Sequence, residues 1–299
     1  MRRPSVLAAA ILLVAACTPT QSVPPSAPPA SPASAEGDEE EEAHDEESAV
    51  EPPAHHAHTS ASGPCKNDLA HCAPIGCAKA NSPHAIFNQL KRRTTDRAGA
   101  EITRETARTI TFEALHELQL AADAALPNSN DLTMAQREQL ALLRVPGGTF
   151  GEGTGVRLVG FIAPDRGTAS SGAHPGGIES VNCRLTKPEE RDVHVPVVAS
   201  PDRPECEGVV VEPIPQTRSE HPSWTSSALR QLAHQKKLVM FVGPLFWDNE
   251  HKVNPDCGHL KSGQPRRMSL WEIHPVTALY VCDAGTCSAD DKTGWRKLD

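Results

Sequence analysis

Five runs rich in β-branched and aromatic residues constrain the fold more than any other feature of this chain. They are GVRLVGFIA (155–163), DVHVPVVA (192–199), GVVVEPI (208–214), KLVMFVGPLFW (237–247) and SLWEIHPVTALYV (269–281), each bounded by Pro, Gly or Asn. Between the third and fourth lies WTSSALRQLAHQ (224–235), with Ser and Thr available as caps and Leu229 and Leu232 on one face. Three strands, a helix and two strands is the order of the oligonucleotide/oligosaccharide-binding barrel, whose Greek-key closure hides its sheet edges. Proline lacks the N–H that a ladder needs, so Pro196, Pro244 and Pro275 are expected at bulges, edges or strand ends.

Upstream the periodicity becomes helical. NSPHAIFNQLKRR places Ser82 as an N-cap, Pro83 at the first helical position and Ile86, Phe87 and Leu90 on one face, with three cations at its end. TFEALHELQLAADAAL repeats apolar residues from Phe112 through Leu115, Leu118 and Ala122, and Pro127 stops it. In TMAQREQLALL, Thr133 and Gln136 have capping-box spacing. The expected fold is therefore α+β: a helical lead-in segment over 65–150, tied by disulfides, followed by a five-stranded OB-like β-barrel (β-β-β-α-β-β) over 151–299.

The N-terminus carries an address. MRRPSVLAAAILLVAAC has two arginines, then an apolar run too short to span a bilayer, which takes ~20 residues. Its last four positions resemble the bacterial lipobox, which implies a signal peptide over 1–16, lipid on Cys17 and a membrane-anchored protein of the cell envelope. Residues 17–64 are Pro, Ala, Ser and acid, with ten acids and no Lys or Arg between Glu36 and Glu51. Such a segment buries too little to offset its ordering entropy and reads as a disordered acidic linker. His55, His56 and His58 could hold a metal weakly, or simply be solvated.

Charge and cysteine content narrow the partners. The chain carries −9, of which the leader contributes two positive charges and the linker ten negative ones, so residues 65–299 sum to −1. A near-neutral domain lacks the basic footprint of a nucleic-acid binder. The partners expected instead are the membrane, through the lipid, and a small ligand or a protein. Beyond Cys17, eight cysteines remain (Cys65, Cys72, Cys77, Cys183, Cys206, Cys257, Cys282, Cys287), an even number that in an exported chain points to disulfides. Of the 105 connectivities open to eight cysteines, only the local Cys282–Cys287 pair is suggested by spacing.

The polar residues inside the β-runs carry the functional question. Side chains two apart on a strand share a face, so Asp192 goes with His194, and Glu272 with His274. Glu212 alternates with Val210 and Ile214, while Asp248 and His251 follow the fourth run directly. The order D-x-H, E-P, G-P-L-F-W-D-x-x-H and S-L-W-E-I-H-P resembles a group of exported bacterial domains. The resemblance extends to CAKANSPHAIFNQLKRR, to GIESVNC with Asn182 and Cys183, to ECEGVVVEPIPQTR and to YVC, covering most of residues 72–287. It implies that Asp192, His194, Glu212, Asp248, His251, Glu272 and His274 form one pattern, and it assigns that pattern no chemistry.

Three readings follow. Carboxylates and imidazoles can fasten strands together, each acid accepting a ring N–H so that buried polar atoms are satisfied. They can instead hold a divalent transition metal, with Asp192, His194, His251 and His274 as candidate ligands. In a hydrolytic form of that reading a metal-bound water attacks a phosphoester or similar bond, Glu212 or Glu272 is the base, and Arg218 or Arg267 steadies the developing charge. Third, the barrel face can bind a small ligand or protein through Trp224, Phe246, Trp247 and Trp271, although with eleven aromatic residues in the chain these rings are also needed for the core. The nucleophile elbow, glycine-rich phosphate loop, Rossmann fingerprint and calcium hand are absent. GTASSGAHPGG (167–177) reads as a flexible loop.

Overall fold

The computed structural model describes residues 63–126, 131–164, 171–253 and 267–299. The leader, Cys17, the acidic linker with its three histidines, Pro127, residues 167–170 of the Gly/Ser loop and Cys257 lie outside them. The elements run α1 (Pro83–Lys91), β1 (Arg108–Ile110), α2 (Phe112–Ala125), α3 (Met134–Gln139), β2 (Leu143–Val145), β3 (Gly148–Phe150), β4 (Gly155–Ile162), β5 (His174–Pro175), β6 (Val193–Val198), β7 (Val209–Val211), α4 (Pro215–Arg218), α5 (Ser226–His234), β8 (Leu238–Trp247), β9 (Trp271–Ile273), β10 (Ala278–Cys282) and β11 (Trp295–Lys297).

Pairing closes a five-stranded barrel. β4 is antiparallel to β6 and β6 to β7; β7 runs parallel to β9 at Val211–Ile273; β9 is antiparallel to β8, and β8 returns antiparallel to β4. This is the closure expected from the order of the runs. The fifth run, expected as one strand, is two: β9 lies against Leu245–Trp247 and β10 against Val239–Val242 of the same long β8. Pro275 is the physical reason, because it has no N–H for the ladder. Around it the backbone donates elsewhere, His274 N to Pro244 O (3.1 Å) and Val276 N to Glu212 O (3.0 Å). Pro244 faces Gly155, where β4 begins, and Pro196 is bonded by Ala163 N just past the end of β4. Both prolines thus sit where a neighbouring strand runs out.

Alternation decides what is inside. Val193, Val195 and Val197, Val209 and Val211, Phe241, Leu245 and Trp247, and Trp271 and Ile273 form one core with Val156, Leu158 and Ile162. Leu115, Leu118 and Ala122 of α2 and Leu229 and Ala233 of α5 join it, and Trp224 is buried there too. β8 is covered on its second face as well, Met240 and Val242 by Ile102, Ala107 and Ala278, and Phe246 by Phe87 and Leu90 of α1. That double burial explains why its sequence reads as an unbroken apolar run.

α1, α2, α3 and α5 begin as their caps require: Ser82, Thr111, Thr133 and Thr225 each accept a backbone N–H, and Thr133 with Gln136 completes a capping box. Disulfides join Cys65 to Cys77, Cys72 to Cys183 and Cys282 to Cys287, and Cys206 is also disulfide-bonded. The second of these ties the lead-in to the loop before β6. Among the described residues no helix is long and apolar enough to cross a membrane.

Candidate functional site

With Val193, Val195, Val211, Trp271 and Ile273 pointing inward, strand alternation sends Asp192, His194, Glu212, Glu272 and His274 outward. All but His194 are shut off from solvent, because α1 lies over this face of the barrel. Asp192, Glu212, Asp248, Glu272 and His274 are all buried, as is Lys91 from the last turn of α1. The cluster therefore sits between barrel and helix.

Two sets of side chains share Glu212. In the inner set, His274 Nε2 is 3.0 Å from Glu212 Oε2 and 3.6 Å from Asp192 Oδ2. In the outer set, His194 Nε2 is 3.3 Å from Glu212 Oε1 and 3.7 Å from Glu179 Oε1. Within each set the candidate ligand atoms all lie within 4.8 Å of one another. Ligands at zinc distances in a tetrahedral site stand about 3.4 Å apart, so modest side-chain adjustment would gather either set round one ion. The outer set faces solvent through Glu179 (22% exposed) and His194 (14%), while the inner set is sealed.

Supporting residues orient these groups. Asn182 Nδ2 donates to Asp192 Oδ1 (2.9 Å) and Gln216 Nε2 of α4 donates to Asn182 Oδ1 (3.1 Å), which leaves Asp192 Oδ2 directed at His274. Across the β5–β6 pairing His174 stands opposite His194, its Nδ1 bonded to Gly172 O (2.9 Å). Gly176 lets the loop come close, since a Cβ there would stand 2.7 Å from His194 Nε2. Beside the outer set the His251 ring lies 6.3 Å from that of His194, and its Nδ1 is bonded to Asp248.

The charges do not cancel by simple pairing. Lys91 Nζ lies 2.6 Å from Glu179 Oε2, 3.8 Å from Glu212 Oε2 and 3.9 Å from Asp192 Oδ2. Arg267 contacts Glu272 and lies 3.3 Å from Asp248. Among the described residues five carboxylates thus face two permanent cations. Burial works against ionising Glu212, yet His194, Lys91 and His274 hold its pKa well below the usual range. Glu179 is lowered to about 2, burial again being outweighed by Lys91 and His194. Glu272 moves the other way, raised well above 4.5 by burial and by the carboxylates of Glu212 and Asp248. For His274, burial and Lys91 oppose the charged ring, but Glu212 and Asp192 outweigh them and push its pKa up to about 10. His194 is also raised, burial losing to Glu212 and Glu179.

Proximity here is not satisfaction. Asp192 Oδ2, both oxygens of Glu212, His194 Nε2 and both ring nitrogens of His274 are buried without a hydrogen-bond partner among the described residues, the short distances lacking the required alignment. Five of these atoms, all but His274 Nδ1, lie in the two sets that share Glu212, an arrangement a cation would relieve, since imidazole and carboxylate are ligands for zinc, manganese or iron.

The residues expected to act together thus divide. Asp192, His194, Glu212 and His274 meet; Asp248, His251, Arg267 and Glu272 adjoin them as an ion-paired flank. Glu272 and His274 share a face and serve different partners. Arg218 does not join: it donates to the backbone carbonyls of Glu189 and Arg191. Trp224, Trp247 and Trp271 are core residues, and Phe246 packs under α1. Sequence reasoning missed Lys91, Glu179, His174 and Gln216. Cys65, Cys77 and Cys183 also lie close together, but each is bound in a disulfide. No protein-family model matches the chain, and neither a curated protein nor a solved structure similar to it was found.

Proposed function

We propose that this chain is an exported, lipid-tethered envelope protein whose barrel is a binding module for a divalent transition metal, held by Glu179, His194 and Glu212. The leader and Cys17 support the address, and the outer set's exposure gives the ion a way in. One observation carries the metal over the strand-fastener reading. A fastener leaves its buried polar atoms bonded, whereas His194 Nε2 and Glu212 Oε1 of the outer set have no hydrogen-bond partner among the described residues, at a cost of about 1–3 kcal/mol for each group left so. A transition metal, rather than calcium, suits two carboxylates and an imidazole.

The experiment is elemental analysis of protein purified from an oxidising compartment, followed by thermal denaturation with and without chelator. The proposal predicts near-stoichiometric metal and a melting temperature that falls on chelation. Metal-free protein with an unchanged melting temperature refutes it.

A second reading, metal-dependent hydrolysis of phosphoesters or similar bonds, draws on His251, which Asp248 holds within ring-to-ring reach of His194. Binding without catalysis has more support, because Arg267 is committed to Asp248 and Glu272, and Arg218 to backbone carbonyls. Neither is left to steady an anionic transition state. Turnover of bis(p-nitrophenyl) phosphate by zinc- or manganese-loaded protein, lost in His251→Ala, would favour the hydrolase.

A further inference from the structure

The inner set has the composition of a metal site, yet a cation already faces it. Asp192 Oδ2, Glu212 Oε2 and His274 Nε2 converge, and neither ring nitrogen of His274, fully buried, is bonded among the described residues. The Lys91 ammonium, 2% exposed, stands 3.8 Å from that Glu212 oxygen and 3.9 Å from that Asp192 oxygen without bonding either. Its close partner is Glu179 Oε2 at 2.6 Å, which leaves Glu179 Oε1 to the outer set.

Lys91 cannot swing away on its own. α1 is capped by Ser82, packs Phe87 and Leu90 on Phe246, and is pinned by Asn88 Nδ2 to Ile75 O (2.7 Å) and Ser180 Oγ (3.0 Å). The Cys72–Cys183 disulfide holds the same region to the barrel.

Resting on the metal-binding reading, we infer that Asp192, Glu212 and His274 form a second divalent-cation position which Lys91 keeps closed, so that the protein takes one ion where its side chains could hold two. Glu212 is placed to bridge the two positions, Oε1 toward the outer set and Oε2 toward the inner, as carboxylates do in paired-metal centres with ions about 3.5–4 Å apart. Charge points the same way. With neutral imidazoles and Glu272 as the neutral acid, the four other carboxylates among the described residues of the cluster against Lys91 and Arg267 leave two negative charges, which one divalent ion cancels and two would overturn to two positive ones. Replacing Lys91 by a neutral residue halves that excess and removes the cation that faces the inner set.

The test is titration of Zn²⁺ into the full, oxidised, chelator-stripped chain by isothermal calorimetry. Wild type should bind one ion per chain, Lys91→Met two, Lys91→Arg one, and the double variant Lys91→Met/His274→Ala one. Should Lys91→Met not fold, Lys91→Gln, whose amide can still donate to Glu179, carries the same expectation of two. A natively folded neutral variant that binds one ion, or wild type binding two, overturns the inference while leaving metal binding intact. Wild type binding none removes the metal-binding reading as well.

Discussion

His274 makes the stability of the metal-free protein fall as the solution becomes alkaline. Its pKa stands at about 10 in the folded chain against 6.5 for an ordinary imidazole, because the Glu212 and Asp192 carboxylates outweigh burial and Lys91. A group raised on folding gives stability that is fully present below its unfolded pKa and lost as pH rises through the folded one. The window is therefore pH 6.5 to 10. At about 1.4 kcal/mol per pH unit, the loss reaches roughly 3 kcal/mol by pH 9 and approaches 5 kcal/mol above pH 10. Against a total of about 5–15 kcal/mol that is a large share. His194 and Glu272, both raised, act in the same direction. The assay is urea denaturation at pH 6, 7, 8 and 9 with chelator present, on wild type and His274→Gln. Wild type should lose about 3 kcal/mol more than the variant over that range. Parallel curves would refute the claim that a charged imidazole is buried here.

Other perturbations separate the parts of the cluster. Glu212→Gln removes the carboxylate nearest the buried His274 ring and one of those facing Lys91 and should cost about 3–5 kcal/mol in metal-free protein, whereas Glu272→Gln mimics the neutral acid that burial, Glu212 and Asp248 favour and should cost under ~1 kcal/mol, both read by chemical denaturation at pH 6. Loss of the Cys72–Cys183 disulfide, which closes 111 residues, should destabilise by about 5 kcal/mol, against about 2 kcal/mol for Cys282–Cys287, which closes five; Ser substitutions and equilibrium unfolding test the ratio. Arg137→Ala strands buried Glu152 and should cost about 3–5 kcal/mol, while Arg97→Ala removes only the exposed pair with Glu138 and should cost under ~1 kcal/mol. Comparable losses for those two would contradict the burial argument.

The barrel was legible because each of its strands carries a run of at least seven residues in the sequence, and period-2 alternation placed Val193 and Val195 opposite Asp192 and His194. The shorter pieces were not. β1 is three residues paired in parallel with β4, and the β2–β3 hairpin around Gly147 and Gly148 is too brief to show a period. The split of the fifth run was signalled by Pro275, whose position at a strand boundary was expected even though β10 was not separated from β9. Within the site, alternation identified the carboxylates and imidazoles on strands. It could not find Lys91 or Glu179, because a helix-end lysine reads as solvated and a loop glutamate has no period at all. Only the tertiary contact of α1 with the barrel makes them part of the cluster. Arg218 and Arg267 show the converse: sequence gave their charge, and the fold had already committed it to carbonyls and to acids.

Crystals grown with zinc and measured across the zinc absorption edge test the central claim most directly. The account predicts an anomalous peak about 2.0–2.2 Å from Glu179 Oε1, His194 Nε2 and Glu212 Oε1. No peak between α1 and the barrel, or zinc bound only at exposed groups such as His71 with Asp68, would contradict it.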